Sequence, residues 1–124
     1  LPISVSALQS GTFTAEHFRL LVDAFNVAEL LAKPPYNLCN DHAYRFDGAL
    51  LALEVLATRY SFTKLWEPGE RRLQVIKDAM EIHEIQLQFV SQAELLNAAA
   101  QVAIKARAAL KGNAGNCKVL ELQS

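Results

Sequence analysis

The sequence predicts an all-α fold, a compact four-helix bundle with an extra short N-terminal turn and an extended C-terminal tail. Two observations point to it. Apolar residues recur every three or four positions over long stretches, which is the spacing of one helix face. Capping and turn signals separate these stretches. A length of 124 residues suits one helical domain, and we expect residues 1–12 and 112–124 to be extended or loosely ordered ends.

The clearest helix is predicted over residues 70–90. Its apolar seam advances by alternating steps of three and four residues along the helix. The seam consists of Leu73, Ile76, Met80, His83, Leu87 and Val90. His83 is its one ionisable member, and the rest of the seam is typical of a helix face that packs in the core of a bundle.

Three further helices are predicted over residues 14–32, 41–60 and 92–111. Thr14 is a suitable N-cap for the first, and Pro34 limits its end. Asn37, Asn40 and Asp41 are alternative caps for the second, whose segment 49–57 is apolar nearly all round and therefore suits an interface.

A capping box opens the last predicted helix. Ser91 and Glu94 have its spacing, which predicts a sharp break after the preceding helix. Gly112 predicts the end of the helix. From all four helices we expect a core that includes Phe18, Leu21, Phe25, Leu50, Leu53, Leu73, Ile76, Met80, Leu87 and Val102.

Composition limits the possible function. Hydrophobic residues make up 52% and charged residues 20% of the chain, which is typical of a globular protein. The net charge of −1 provides no general attraction to nucleic acid or to an acidic membrane. Two cysteines do not make a disulfide framework, and no apolar run reaches the length of a membrane span, so we expect a cytoplasmic protein.

Four residues are candidates for a polar site: His83, Glu29, His42 and Asn26. A buried His83 paired with Glu29 could carry a proton, since burial and a nearby carboxylate shift the histidine pKa in opposite directions. The favoured interpretation is a core histidine that hydrogen-bonds to a backbone carbonyl or a carboxylate, because no second catalytic group is placed by the sequence. No catalytic residue and no cofactor are predicted.

A metal site is a weaker hypothesis. Cys39 and His42 are three residues apart, but a structural zinc ion needs about four such ligands. The others would have to be Cys117 and either His17 or His83, which are distant in sequence. The Glu-x-x-His pair of di-iron bundles does not occur, and no metal is predicted.

A basic cluster offers a third possibility. Arg71, Arg72 and Lys77, with Lys64, could contact nucleic acid. Nearby acids dilute this charge, so a solvated surface is the favoured interpretation. Those acids are Glu67, Glu70 and Asp78.

Three stretches also carry a resemblance. They are VDAFNVAELLA (22–32), NDHAYRFDGALLAL (40–53) and DAMEIHEIQLQFVSQAEL (78–95). They resemble small uncharacterised helical proteins carried on phages, plasmids and other mobile elements of proteobacteria. The resemblance implies a cytoplasmic bacterial accessory protein and assigns no activity to any residue.

The expected function is that of a non-enzymatic accessory protein of a mobile element, which binds a protein partner or self-associates. An enzyme or small-ligand protein with a pocket around His83 is the alternative. Nucleic-acid binding through Arg71, Arg72 and Lys77 is the third hypothesis.

Overall fold

The computed structural model describes the backbone of residues 2–123 and the side chains of residues 2–109. Within these residues every regular element is helical, which confirms the predicted all-α class. Five α-helices follow one another within residues 2–123. They are α1 (Ile3–Ser10), α2 (Ala15–Leu31), α3 (Tyr44–Thr63), α4 (Gly69–Phe89) and α5 (Gln92–Gln123).

Helix α1 corrects the prediction for the N-terminal end. Residues 1–12 were expected to be extended or loosely ordered apart from one helical turn, whereas α1 has eight residues and ends at Gly11 in the left-handed conformation. Val5 and Leu8 are buried in the main core. So short a helix is marginal alone. Packing against α2 and α4 stabilises it, and the local sequence does not reveal that packing.

Helix α2 begins as the sequence predicts. The Thr14 hydroxyl accepts a hydrogen bond from the backbone N–H of His17 at 3.3 Å, and the Thr14 N–H donates to His17 Nδ1 at 3.0 Å. This reciprocal arrangement is a capping box in which histidine takes the place of the usual Glu or Gln. The rings of Phe13 and Phe18 both pack on Trp66, which fixes α2 against the loop before α4.

A side-chain hydrogen bond of Asn40 holds the connection between α2 and α3 in place. Asn40 does not cap α3; its Nδ2 donates to the carbonyl of Ala32 at 2.9 Å and so closes the end of α2. Residues 40–42 form a short 3-10 helix. Helix α3 therefore starts at Tyr44 rather than at the predicted residue 41, and it continues to Thr63.

Helix α4 packs against α3, α2 and α1 around the main core. The largest fully buried side chains belong to α1, α2, α3 and α4. They include Val5, Phe25, Phe46, Leu21, Leu31, Leu53, Leu56, Ile76 and Gln86. Of the predicted core, Leu21, Phe25, Leu53, Ile76 and Met80 are buried, which confirms them.

Leu87 is the predicted core residue that the structure contradicts, because it is 40% exposed. The Arg45–Asp78 contact of 3.9 Å places the start of α3 beside the middle of α4. The last turns of α4 extend past α3. In those turns Gln86, not Leu87, faces α2 and is fully buried.

Helix α5 begins at the predicted break. Ser91 N–H donates to Glu94 Oε1 at 3.0 Å, and Glu94 N–H donates to Ser91 Oγ at 3.1 Å, which confirms the capping box. Its packing partner is α2, and Ala98 lies in a second cluster with Val27 and Leu31.

The C-terminal end differs from the prediction. The backbone of α5 passes Gly112 and continues in helix to Gln123, where an extended tail was expected for residues 112–124. A single glycine within a helix costs only about 1 kcal/mol, so it is a weak stop signal after an alanine-rich segment. The side chains of residues 110–124 lie outside the described residues.

Candidate functional site

His83, the most unusual residue of the sequence, lies in a buried polar network. Its side chain is 6% exposed, and its Nδ1 lies 2.9 Å from Gln86 Oε1. The Gln86 amide nitrogen donates to the carbonyls of Ala28 at 3.0 Å and Leu38 at 2.9 Å. Because the amide nitrogen serves two acceptors, Oε1 must accept, and this assigns the proton of a neutral imidazole to Nδ1.

This network links α4 to α2 and to the loop that follows α2. Burial lowers the pKa of His83, and the hydrogen bond to Gln86 and the charge of Glu84 oppose that shift only in part. The ring also meets the Phe46 ring edge to face, with centroids 6.5 Å apart. The histidine thus remains neutral at pH 7, and its observed partner is a structural amide rather than the carboxylate that the sequence suggested.

Gln86 is the residue that sequence reasoning missed. It is fully buried although glutamine is usually exposed, and it makes three hydrogen bonds. Its position beside the apolar seam was the available signal, since a polar residue in such a row must find partners if it is buried.

Glu29 pairs with another acid rather than with His83. Burial, together with a side-chain hydrogen bond to Asp47 of α3 and its charge, raises the pKa of Glu29 to about 7, while Lys33 opposes the shift. Near neutral pH the Glu29 carboxyl therefore holds a proton for part of the time. A protonated Glu29 can donate that proton in a hydrogen bond to the Asp47 carboxylate.

Asn26 and Glu29 share a groove between α2 and α5 with a volume of about 390 Å³. The remaining lining is mixed, with aliphatic side chains and charges of both signs. It comprises Val22, Asp23, Leu30, Lys33, Val102, Lys105 and Ala106. The structure therefore brings two of the four candidate residues together. His83 is buried elsewhere, and His42 is exposed on the 3-10 turn.

The proposed metal ligands do not converge among the residues described. Cys39 is a free, half-buried thiol in the left-handed conformation, three residues before the exposed His42. Within the described part of the chain, no three His, Cys, Asp or Glu side chains come close enough to hold a metal ion. The side chain of Cys117 lies outside the described residues.

A second groove, between α3 and α4, combines apolar side chains with arginine. Its volume is about 400 Å³. Its lining is aliphatic except for two guanidinium groups. It consists of Gly48, Leu51, Ala52, Val55, Arg71, Arg72 and Val75. Leu51 is 62% exposed, so the groove presents an aliphatic side chain to solvent.

The apolar surface of this groove continues along α3. Leu51, Val55 and Phe62 point within about 40° of one another around the helix axis. Phe62 is 84% exposed, an unusual exposure for a phenylalanine. Leu51, Val55 and Phe62 form the α3 stripe, which crosses three helical turns.

Positive charge collects at the end of the groove where α4 begins. The start of α4 has no side-chain cap, so its first N–H groups form the positive end of the helix dipole, which Glu70 in the first turn offsets in part. Arg71 is exposed and Arg72 is half-buried. Arg59 lies three turns after Gly48 on the same side of α3, which extends the basic surface. The two ion pairs found in residues 2–109 involve other arginines, Arg19 and Arg45.

The structure separates the residues of the predicted basic cluster. Arg71 and Arg72 line the groove, but Lys77 does not. On a helix Lys77 points about 120° away from Arg71. The arginines therefore belong to an apolar groove rather than to a continuous basic face with Lys77.

Comparison of the chain with protein-family models, with curated proteins and with solved structures finds no match. None of the helices within residues 2–123 has both the length and the hydrophobicity that a bilayer demands of a spanning segment.

Proposed function

We propose that this chain is a non-enzymatic interaction protein that binds a protein partner through the groove between α3 and α4. The observation that carries the proposal is the exposure of Leu51 and Phe62 on one face of α3, where Leu51 lines the same groove as Arg71. Exposed apolar surface bordered by polar groups is typical of protein interaction sites. Arginine is enriched in such interfaces because it combines charge with an apolar stem.

The composition of the groove favours binding over catalysis. Neither a histidine nor a carboxylate is among its lining residues. The groups with shifted pKa values that could move a proton lie elsewhere, His83 in the core and Glu29 between α2 and α5. The groove thus offers contact area and positive charge but no acid–base pair.

A heterologous partner is favoured over a second copy of the chain. In a two-fold dimer the same surface faces itself, which would bring the Arg71 and Arg72 groups of both copies to one interface. Like charges at a desolvated interface are unfavourable. A partner of different sequence can place acids opposite these arginines.

The proposed setting is the bacterial cytoplasm, where the protein would act as an accessory factor of a mobile element. This part rests on the resemblance of residues 22–32, 40–53 and 78–95 to small helical proteins of phages and plasmids. The proposed architecture is a four-helix bundle of α2 to α5 to which α1 adds.

Site-directed crosslinking tests the proposed function. A photoreactive amino acid at Leu51 is expressed in the native host, and crosslinked proteins are identified by mass spectrometry. The matched control carries the same group at Leu20 of α2, which is 50% exposed. We expect one protein to be captured from Leu51 and not from Leu20. Equal capture from both positions, capture of this chain alone, or no capture would contradict the proposal.

A further inference from the structure

We infer that the occupant of the groove between α3 and α4 is an acidic amphipathic helix of the partner protein. The inference rests on the proposed function and specifies the chemistry of its partner. It combines two properties of the surface, the α3 stripe and the arginines at one end of the groove.

The dimensions of the surface fit a helix. From Leu51 to Phe62 the α3 stripe is about 16 Å long, at a rise of about 1.5 Å per residue. A partner helix of three to four turns covers this length. Its apolar side chains, spaced three and four residues apart, would then contact Leu51, Val55 and Phe62 in turn, as in other complexes in which a helix lies in a groove.

The walls of the groove allow a close approach. Gly48 has no side chain, and a Cβ added there would lie 3.7 Å from Val75 Cγ1. Ala52 is also small and is 6% exposed. The floor between the two helices is therefore shallow and smooth at this end, which suits the ridge of a second helix better than a single deep side chain.

The charge of the surface selects an acidic partner. Arg71 and Arg72 line the groove with two positive charges, and Arg59 follows on the same side of α3, although the chain as a whole has a net charge of −1. The positive end of the α4 dipole lies at the same end of the groove, and Glu70 in the first turn offsets it in part. No carboxylate lines the groove itself, and Asp78 of α4 is engaged elsewhere, since it accepts from Gln74 at 2.7 Å and lies 3.9 Å from Arg45.

The same features argue against nucleic acid as the occupant. A phosphate backbone is bound by a basic surface without a need for exposed aliphatic and aromatic groups at its centre. Here Leu51 and Phe62 are highly exposed, and Lys77 does not line the groove. An acidic amphipathic helix uses both the apolar stripe and the arginines.

Peptide binding to the intact chain tests the inference. The probe is a fluorescent helical peptide of about 18 residues with a leucine face and flanking glutamates. A second peptide has lysine in place of every glutamate, and a short DNA duplex is the third probe. By fluorescence anisotropy we expect saturable binding of the acidic peptide, and a clear decrease in affinity when salt rises from about 0.1 to about 0.5 M.

Substitutions inside and outside the groove test where the acidic peptide binds. Combining Arg59→Glu with Arg71→Glu should weaken binding of the acidic peptide about tenfold or more. Leu51→Ser should weaken it about tenfold by removing an apolar anchor. The controls are Arg107→Glu on α5 and Leu20→Ser on α2, which should leave affinity unchanged. All five positions are exposed, and thermal unfolding verifies that each variant is folded.

Three results would overturn the inference. They are equal binding of the acidic and basic peptides, tight binding of DNA that the combined arginine variant weakens and Leu51→Ser does not, and acidic-peptide binding that survives both groove variants. If crosslinking from Leu51 captures a partner but no acidic peptide binds, the partner class is wrong and the proposed function stands. If the acidic peptide binds at the groove but no partner is captured in cells, the groove has the expected chemistry, but the proposed function is wrong and the inference about its partner is wrong with it.

Discussion

The imidazole of His83 and the amide of Gln86, one helical turn apart on α4, form a buried hydrogen bond of 2.9 Å. The same amide joins α4 to the carbonyls of Ala28 and Leu38. One side chain thus satisfies polar groups of α2, of the loop after it and of α4. We expect the stability of the fold to depend strongly on it.

Gln86→Ala should destabilise the protein by about 2–4 kcal/mol. The substitution leaves two carbonyl groups and the His83 N–H without their observed partner in a buried site. Urea unfolding followed by circular dichroism measures the loss. Gln88→Ala is the matched control, since Gln88 is exposed on the same helix. Its effect should stay within about 0.5 kcal/mol, and a loss of the same size in both variants would contradict the role of Gln86.

Acid should weaken the fold through His83. Burial lowers the pKa of this histidine below the ordinary value of 6.5. The unfolded chain therefore binds the proton more readily, and stability falls as the pH drops below about 6.5. In His83→Gln this part of the pH dependence should disappear. NMR titration of the ring measures the pKa directly, and a midpoint at or above 6.5 would show that the assignment is wrong.

Glu29 should give a pH dependence of opposite sign. Its pKa is raised to about 7 from a usual 4.5, so the folded protein binds the proton more readily than the unfolded chain. Its contribution is fully present below pH 4.5 and is lost as the pH rises through 7. Unfolding measured from pH 5 to 8 should therefore show Glu29→Gln gaining stability relative to the parent protein as the pH rises.

The companion variant Asp47→Asn separates the two causes of the raised Glu29 pKa, which are burial and the neighbouring Asp47. It removes the neighbouring charge and the carboxylate hydrogen bond, so it should lower the pKa of Glu29 and reduce the slope of stability against pH. An NMR titration of Glu29 that is unchanged by Asp47→Asn would show that burial alone raises the pKa.

Gly48→Ala should stabilise the chain by up to about 1 kcal/mol, because alanine is the better residue within a helix. The added Cβ would make an ordinary contact of 3.7 Å with Val75 Cγ1. Gly69→Ala is the contrasting control. Gly69 has a φ of +78°, which disfavours a side chain, so this variant should be destabilised. Thermal unfolding measures the stability of both variants, and equal changes in melting temperature would contradict these two expectations.

Signals within a few residues of one another predicted much of the fold. Thr14 and Ser91 act as caps, and α4 covers the periodic segment that the sequence indicates. These features depend on local hydrogen bonds and on repeat length, which are visible in a linear sequence. The packing role of α1 is not, because it depends on which helices cover Val5 and Leu8.

The sites were harder to predict than the helices. The sequence singled out His83, but its partner Gln86 is recognisable only when the carbonyls of Ala28 and Leu38 approach it from 58 and 48 residues away. Arg71 and Arg72 were noted for their charge. Their place beside Leu51 and Val55 depends on how α3 packs against α4.

The segment that joins α2 to α3 is anchored at two points, although two of its residues, Asn37 and Cys39, have positive φ. Asn40 holds the carbonyl of Ala32, and Gln86 holds that of Leu38. Proteolytic cleavage proceeds through local opening of the chain, and here both anchors would have to break first. Proteolytic cleavage of this segment should therefore report the separation of α2 from α4 rather than the surface exposure of the segment itself.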